Sequence, residues 1–146
     1  MTPRTESLLA VQESLRRRFD EFRGALERRD EAAYRMALSD FHGHLCRWTE
    51  AEERVLLPVL TPERLPGRDP QRELRLEYVQ IRELTRYLRS ELARRAPMAD
   101  VLGLVENLER RLAAHESQMK TVYYPAVSAL LGAEAWLELD EAAPPP

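Results

Sequence analysis

The stretch Phe41–Leu60, FHGHLCRWTEAEERVLLPVL, decides the fold because its second half recurs near the other end of the chain. The recurrence is His115–Pro125, HESQMKTVYYP, and the prolines of the two stretches coincide when Trp48 is set over His115. We call Trp48–Pro58 the first copy and His115–Pro125 the second copy. Each copy has the spacing of one helix face and ends at a proline, which predicts two similarly built helices.

The two copies differ in the side chains that could bind a metal or move a proton. The first copy has two carboxylates, Glu52 and Glu53, but it has Trp48 at the position of the histidine. The second copy has the histidine, His115, but it has Met119 at the position of the first carboxylate. Most of what the sequence predicts about function depends on this mismatch.

Apolar residues recur at intervals of three and four along most of the chain, which is typical of helices with one buried face. The pattern predicts helices over residues 5–29, 31–57, 71–95 and 99–131. A proline-rich loop at residues 61–70 is long enough to cross one end of a bundle. The predicted fold is therefore an all-α, antiparallel four-helix bundle.

Several residues mark the expected boundaries of these helices. Asp30 is the predicted N-cap of the second helix, because its side chain can accept hydrogen bonds from free backbone amides. Gly132 is the predicted stop of the fourth helix, and a short amphipathic segment around Trp136 follows it. We expect the bundle to span residues 1–140 and a disordered tail to span residues 141–146.

Composition excludes several functional classes. The 146 residues include 22 basic and 25 acidic side chains, whereas a general nucleic-acid binder has a strongly basic surface. No apolar stretch approaches the ~20 residues of a membrane span. The N-terminal sequence has no apolar signal core, so a cytoplasmic location is expected. The single cysteine, Cys46, rules out an internal disulfide.

Polar side chains on the inward faces are the candidates for a site, because bundles build cofactor sites from the inward side chains of facing helices. They are Glu52 on the second helix, Tyr78 on the third and His115 on the fourth. His44 also lies on the second helix and could reach the edge of the core, whereas His42 is expected to face water.

Three segments, one in each of the last three helices, carry a family resemblance. They read TEAEERVLLP, EYVQIRELTRYL and HESQMKTVYYP. Together they resemble the hemerythrin-like family, also called the HHE cation-binding domain. In that family a histidine and a carboxylate four residues apart reach the same metal pair, because residues i and i+4 share a helix face. The resemblance implies a four-helix bundle with a di-iron centre between its helices.

The ligand set departs from the family pattern. Trp48 and Tyr78 stand where the resemblance implies histidines, and Met119 stands where it implies a bridging carboxylate. The carboxylates of the first copy and His115 remain. The chain has 3 histidines, which are too few for the implied di-iron centre, so an ordinary oxygen carrier is not expected.

Two functions remain open. In the first, bulky side chains fill the former metal cavity, and Glu52 forms a hydrogen-bonded pair with His115 because an unpaired buried carboxylate is costly. The protein is then a binding or regulatory module that acts through its surface, as a homodimer or with a protein partner. In the second, the chain keeps a reduced site for one iron or zinc ion, as a cation sensor or storage protein. The candidate metal ligands are Glu52, Glu53 and His115, with His44, Tyr78 or Met119 completing the set.

Catalysis is not expected, and the sequence predicts no catalytic residues. Glu52, His115 and Tyr78 could perform acid–base chemistry if a cleft admitted a substrate, but no sequence feature indicates a cleft. The chain also lacks a Gly-rich phosphate loop, a nucleophile elbow and a paired-cysteine motif. A buried polar network explains these three residues better.

Overall fold

The computed structural model describes residues 3–146, and long helices make up most of them. The long helices are α1 Pro3–Glu27, α2 Glu31–Leu56, α3 Pro70–Ala93 and α4 Met98–Gln118. A π-helical turn, Met119–Tyr123, continues α4 into α5 Tyr124–Val127, and α6 Ala133–Ala142 follows. Contacts join α1 with α2, α2 with α3, and α3 with α4. The predicted all-α four-helix bundle is confirmed.

The α1–α2 hairpin turns where the sequence predicts it. Asp30 has an extended backbone, and its side chain accepts a hydrogen bond from the Ala33 amide at 3.2 Å. This satisfies one of the free amides at the start of α2. Arg29 adopts a positive φ of 56°, the left-handed conformation that commonly ends a helix. The turn therefore occupies three residues.

The boundaries around the crossing loop each differ from the prediction by one residue. α2 ends at Leu56, and Pro58 lies in a 3₁₀-helical turn, Leu57–Val59, because proline cannot donate the next α-helical hydrogen bond. α3 begins at Pro70, where the Asp69 side chain accepts from the Arg72 amide at 3.2 Å. The loop therefore runs from residue 60 to residue 69.

The prediction of one helix from residue 99 to residue 131 was wrong at its C-terminal end. α4 passes into the π-helical turn at Met119, and α5 ends at Val127. Pro125 supplies the physical reason, because it has no amide hydrogen and its ring crowds the preceding turn. A π-helical turn adds one residue and relieves that conflict. Gly132 precedes α6 as its N-cap and does not stop the fourth helix.

The C-terminal residues lie against the bundle. α6 contacts α2 and buries Trp136 and Leu139. Where the prediction placed a disordered tail from residue 141, α6 continues to Ala142. The carbonyl of Pro145 accepts hydrogen bonds from Arg18 at 2.6 Å and from Ser14 at 3.2 Å. These contacts hold the chain terminus along α1.

The inward stripe of α2 shows how the sequence pattern becomes a core. Its residues recur every three or four positions and are all buried: Tyr34, Leu38, Phe41, Leu45, Trp48, Glu52 and Val55. Glu52 is the one carboxylate in this stripe, so it marks the polar part of the core. Among residues 3–146, no helix has both the length and the apolar character needed to cross a bilayer.

Candidate functional site

The site is built around Glu52, whose side chain is 0% exposed near the end of α2. Its Oε2 accepts a hydrogen bond from the Tyr124 hydroxyl at 2.8 Å. Its Oε1 is buried and has no hydrogen-bond partner. Burial raises the pKa of Glu52 from 4.5 to about 7, and the charge of His115 and the Tyr124 hydrogen bond limit this rise. The carboxyl group therefore takes up a proton near neutral pH.

Tyr124 is the partner that the π-helical turn supplies. It lies directly after that turn and is 0% exposed. The amide of Gln12 approaches its hydroxyl from α1 at 3.5 Å. Burial raises the pKa of Tyr124 well above its usual value, and the charge of Glu52 is the second cause of this rise. The hydroxyl therefore keeps its proton at physiological pH and remains a donor to Glu52.

Tyr78 reaches the same region from α3. Its side chain is fully buried, and its hydroxyl makes no hydrogen bond of ordinary geometry. The hydroxyl is nevertheless close enough to lower the pKa of Glu52. Burial and the charge of Glu52 raise the pKa of Tyr78 well above its usual value. Two buried oxygens without partners, Glu52 Oε1 and the Tyr78 hydroxyl, thus share one part of the core.

His115 bonds to a different carboxylate from the one predicted. Its Nδ1 is paired with Oε1 of Glu77 on α3, and its ring lies edge-on to Tyr78 with centroids 5.3 Å apart. The predicted hydrogen-bonded pair of Glu52 and His115 is therefore wrong. His115 affects Glu52 through its charge. The reason is that α3 places Glu77 beside the ring of His115.

Glu53 lies outside this core cluster. It pairs with Arg82 on α3, with Oε1 and Nη2 2.6 Å apart, and the same guanidinium donates to the Thr49 hydroxyl at 3.1 Å. Consecutive helix residues point about 100° apart, so Glu53 turns toward α3 when Glu52 faces the core.

His44 is separated from the Glu52 cluster. Its Nε2 lies 3.3 Å from Asp40 on the previous turn of α2, and its Nδ1 is buried without a partner. His42 lies at the boundary of the core with its Nε2 3.6 Å from Cys46 Sγ. Each of these histidines therefore has its polar contact within α2.

Bulky side chains fill the space where the family resemblance implies metal ligands. Trp48, Tyr78 and Met119 are all at most 2% exposed. A cavity of about 20 Å³ remains beside Trp48 and His115. That volume suits a single water molecule. The metals of a two-metal site are ~3.5–4 Å apart, so a metal pair needs a larger space.

The donor set does not fit a di-iron centre. Across residues 3–146, no three His, Cys, Asp or Glu side chains come together as metal ligands would. The predicted ligands are instead bonded to different partners: Glu52 to Tyr124, His115 to Glu77, Glu53 to Arg82, and His44 to Asp40.

Sequence reasoning missed two residues of this site, Tyr124 and Glu77. The alignment of the two copies set Tyr124 over Leu57, a purely apolar residue. Glu77 stands directly before Tyr78 in the resembling segment of the third helix, EYVQIRELTRYL, but it was given no role. The available signals were two tyrosines before Pro125 and an acidic residue beside an inward tyrosine.

The fold and site together define a class of protein. Helical bundles build sites in the core from the side chains of facing helices. This bundle gathers a carboxyl group, two phenols and an imidazole between its helices in the same way. The family model described as Hemerythrin HHE cation binding domain matches residues 5–127. The chain therefore belongs to the hemerythrin HHE cation-binding family. No curated protein and no solved structure matched the chain significantly.

Proposed function

We propose that this chain is a hemerythrin-fold binding or regulatory module that works without a di-iron centre. One observation carries the proposal: the three bulky residues at implied ligand positions, Trp48, Tyr78 and Met119, lie in the core. Close-packed side chains leave no room for a metal pair and its exchangeable ligands. The protein then acts through its surface, as a homodimer or with a protein partner, and without catalysis.

Metal analysis tests this proposal. The protein is purified without chelator, and iron, zinc and manganese are measured together with the visible absorption spectrum. We expect each metal to be far below one equivalent per chain, with no visible band. One or two equivalents that survive gel filtration would overturn the proposal.

A reduced cation site is the second candidate, because one specific observation favours it. Glu52 Oε1 and the Tyr78 hydroxyl are buried near each other, and neither makes a hydrogen bond of ordinary geometry. Buried polar atoms usually have partners, and oxygen ligands suit hard cations. This candidate predicts one cation per chain, lost in both Glu52→Gln and Tyr78→Phe. Glu53→Gln is the control, because Glu53 is paired with Arg82 outside the cluster.

A further inference from the structure

A groove of about 480 Å³ lies between the start of α2 and the end of α3. Arg35 borders it from α2, and Arg86 and Arg89 border it from α3. Ser39 and Ser90 add hydroxyl groups, and no carboxylate is among the side chains that line the groove. Antiparallel packing produces this arrangement, because it sets the first turns of α2 against the last turns of α3.

Arg89 is available to a ligand. Its Nη2 donates to the Ser39 hydroxyl at 3.2 Å, and among residues 3–146 no carboxylate lies within ion-pair distance of it. A guanidinium has five N–H donors, so this contact leaves most of them free. The contact also holds the Arg89 guanidinium of α3 next to the Ser39 hydroxyl of α2.

Arg35 contributes a guanidinium that the fold holds in place. Its Nη2 donates to the Leu92 carbonyl at 3.0 Å and also pairs with Glu31. Its Nε is buried and has no hydrogen-bond partner. A buried N–H without a partner is uncommon. The carbonyl contact holds the guanidinium in place at the edge of the groove.

Arg86 is the third arginine at the edge of the groove. It pairs with Glu83, but its side chain is 69% exposed and that of Glu83 is 59% exposed. Such exposed pairs contribute little stability, so Arg86 can exchange Glu83 for another anion. Burial lowers the pKa of His42, the next groove-side residue along α2, and the charges of Arg89 and Arg86 lower it further. The two arginines therefore impose a positive potential beyond the groove itself.

We propose that this groove binds a small molecule that carries a phosphate group. Guanidinium groups form charge-assisted hydrogen bonds with phosphate oxygens, and the two hydroxyls add neutral donors. Leu38, Leu92 and Ala93 line the apolar part of the groove, where the two leucines are buried and Ala93 is exposed. The volume falls in the range of small-molecule pockets and exceeds a phosphate ion, so an organic part has room. Ser39 precedes Glu52 by thirteen residues of helix, or ~20 Å, so the groove is separate from the core site.

An NMR titration of the whole chain labelled with ¹⁵N tests the proposal. Inorganic phosphate and phenyl phosphate are added in parallel at constant ionic strength, with chloride as the reference anion. We expect saturable shifts of the Arg35 Nε–H signal and of the amides of residues 35–39 and 86–93. Phenyl phosphate should bind more tightly, because its ring reaches Ala93 and the methylene chains of the arginines. Equal affinity would indicate a site for free phosphate and would overturn the assignment of an organic ligand.

Two matched variants separate a built site from general attraction to a basic surface. Arg89→Gln should weaken phosphate binding by about tenfold, the loss expected from one charge-assisted contact. Arg75→Gln removes the same charge from an exposed position on α3, ~20 Å away along the helix, and should leave the affinity unchanged. Equal weakening by both variants, or shifts that chloride reproduces, would overturn the proposal. Circular dichroism checks that both variants fold.

Discussion

The two copies align residue for residue in the sequence, yet their backbones end differently. The first copy stays α-helical to Leu56 and closes in a 3₁₀-helical turn. The second copy opens at Met119 into a π-helical turn before it reaches its proline. A 3₁₀ turn tightens a helix, whereas a π turn inserts a residue into it. Two similar stretches have thus adjusted to their prolines in opposite ways.

The difference determines which polar groups meet in the core. One inserted residue shifts those after it by one helical position, or ~100°. Tyr124, which aligns with the apolar Leu57, thereby reaches Glu52 of the first copy. His115, which aligns with Trp48, pairs with Glu77 on α3. The comparison teaches that equivalent positions in a repeat need not keep equivalent partners.

The largest expected effect is a difference in stability between variants at Trp48 and at His115, the first residues of the two copies. Trp48 is 2% exposed, so Trp48→Ala should lower the free energy of unfolding by about 3–5 kcal/mol, as removal of a buried aromatic ring does. His115→Ala should cost about 1–3 kcal/mol, chiefly because Glu77 loses its partner. Urea denaturation at pH 7 measures both. Equal losses would show that the two positions are equally central to packing.

The next effect concerns Glu52, which has no carboxylate counterpart in the second copy. Its pKa rises from 4.5 to about 7 in the folded state. Between these values the folded chain holds a proton that the unfolded chain has released, so stability falls as pH rises through this range. The expected contribution of Glu52 is a loss of about 3 kcal/mol between pH 4.5 and pH 7. Glu52→Gln should remove this contribution, as urea denaturation across that range would measure.

Glu53→Gln is the control for this pH dependence. Glu53 is partly exposed and pairs with Arg82, so its replacement should leave the slope of stability against pH close to that of the parent. Burial also raises the pKa of Glu116, and this residue adds a slope that the parent and both variants share. Parallel curves for the parent and Glu52→Gln would show that Glu52 is ionised in the folded protein well below pH 7.

Much of the fold was predictable because it rests on local physics. The helical period of apolar residues located the four long helices, and the capping chemistry of Asp30 located the start of α2. The inward position of Glu52 also followed from that period. In each case, spacing along one helix was sufficient.

The partners in the site were not predictable in this way. Whether His115 meets Glu52 or Glu77 depends on how α4 is rotated against α2 and α3, and packing of whole helix faces sets that rotation. The π-helical turn that brings Tyr124 to Glu52 is a one-residue change, which apolar periodicity cannot resolve. Pro125 indicates that the helix is irregular there, but a proline alone does not distinguish a kink from a π-helical turn.

The smallest expected effect tests the Tyr124–Glu52 hydrogen bond, the contact that the π-helical turn creates between the copies. Tyr124→Phe removes the donor to Glu52 Oε2, so it should lower the free energy of unfolding by about 1–3 kcal/mol at pH 8, where Glu52 is ionised. The loss should be smaller at pH 5.5, because a neutral carboxyl group needs the donor less. Tyr123→Phe is the matched control, since the Tyr123 hydroxyl donates to the exposed Glu73 at 3.0 Å. If Tyr124→Phe lowers the free energy of unfolding no more than Tyr123→Phe does at either pH, the Tyr124–Glu52 hydrogen bond adds no stability of its own. The π-helical turn would then accommodate Pro125 and have no role in supporting Glu52.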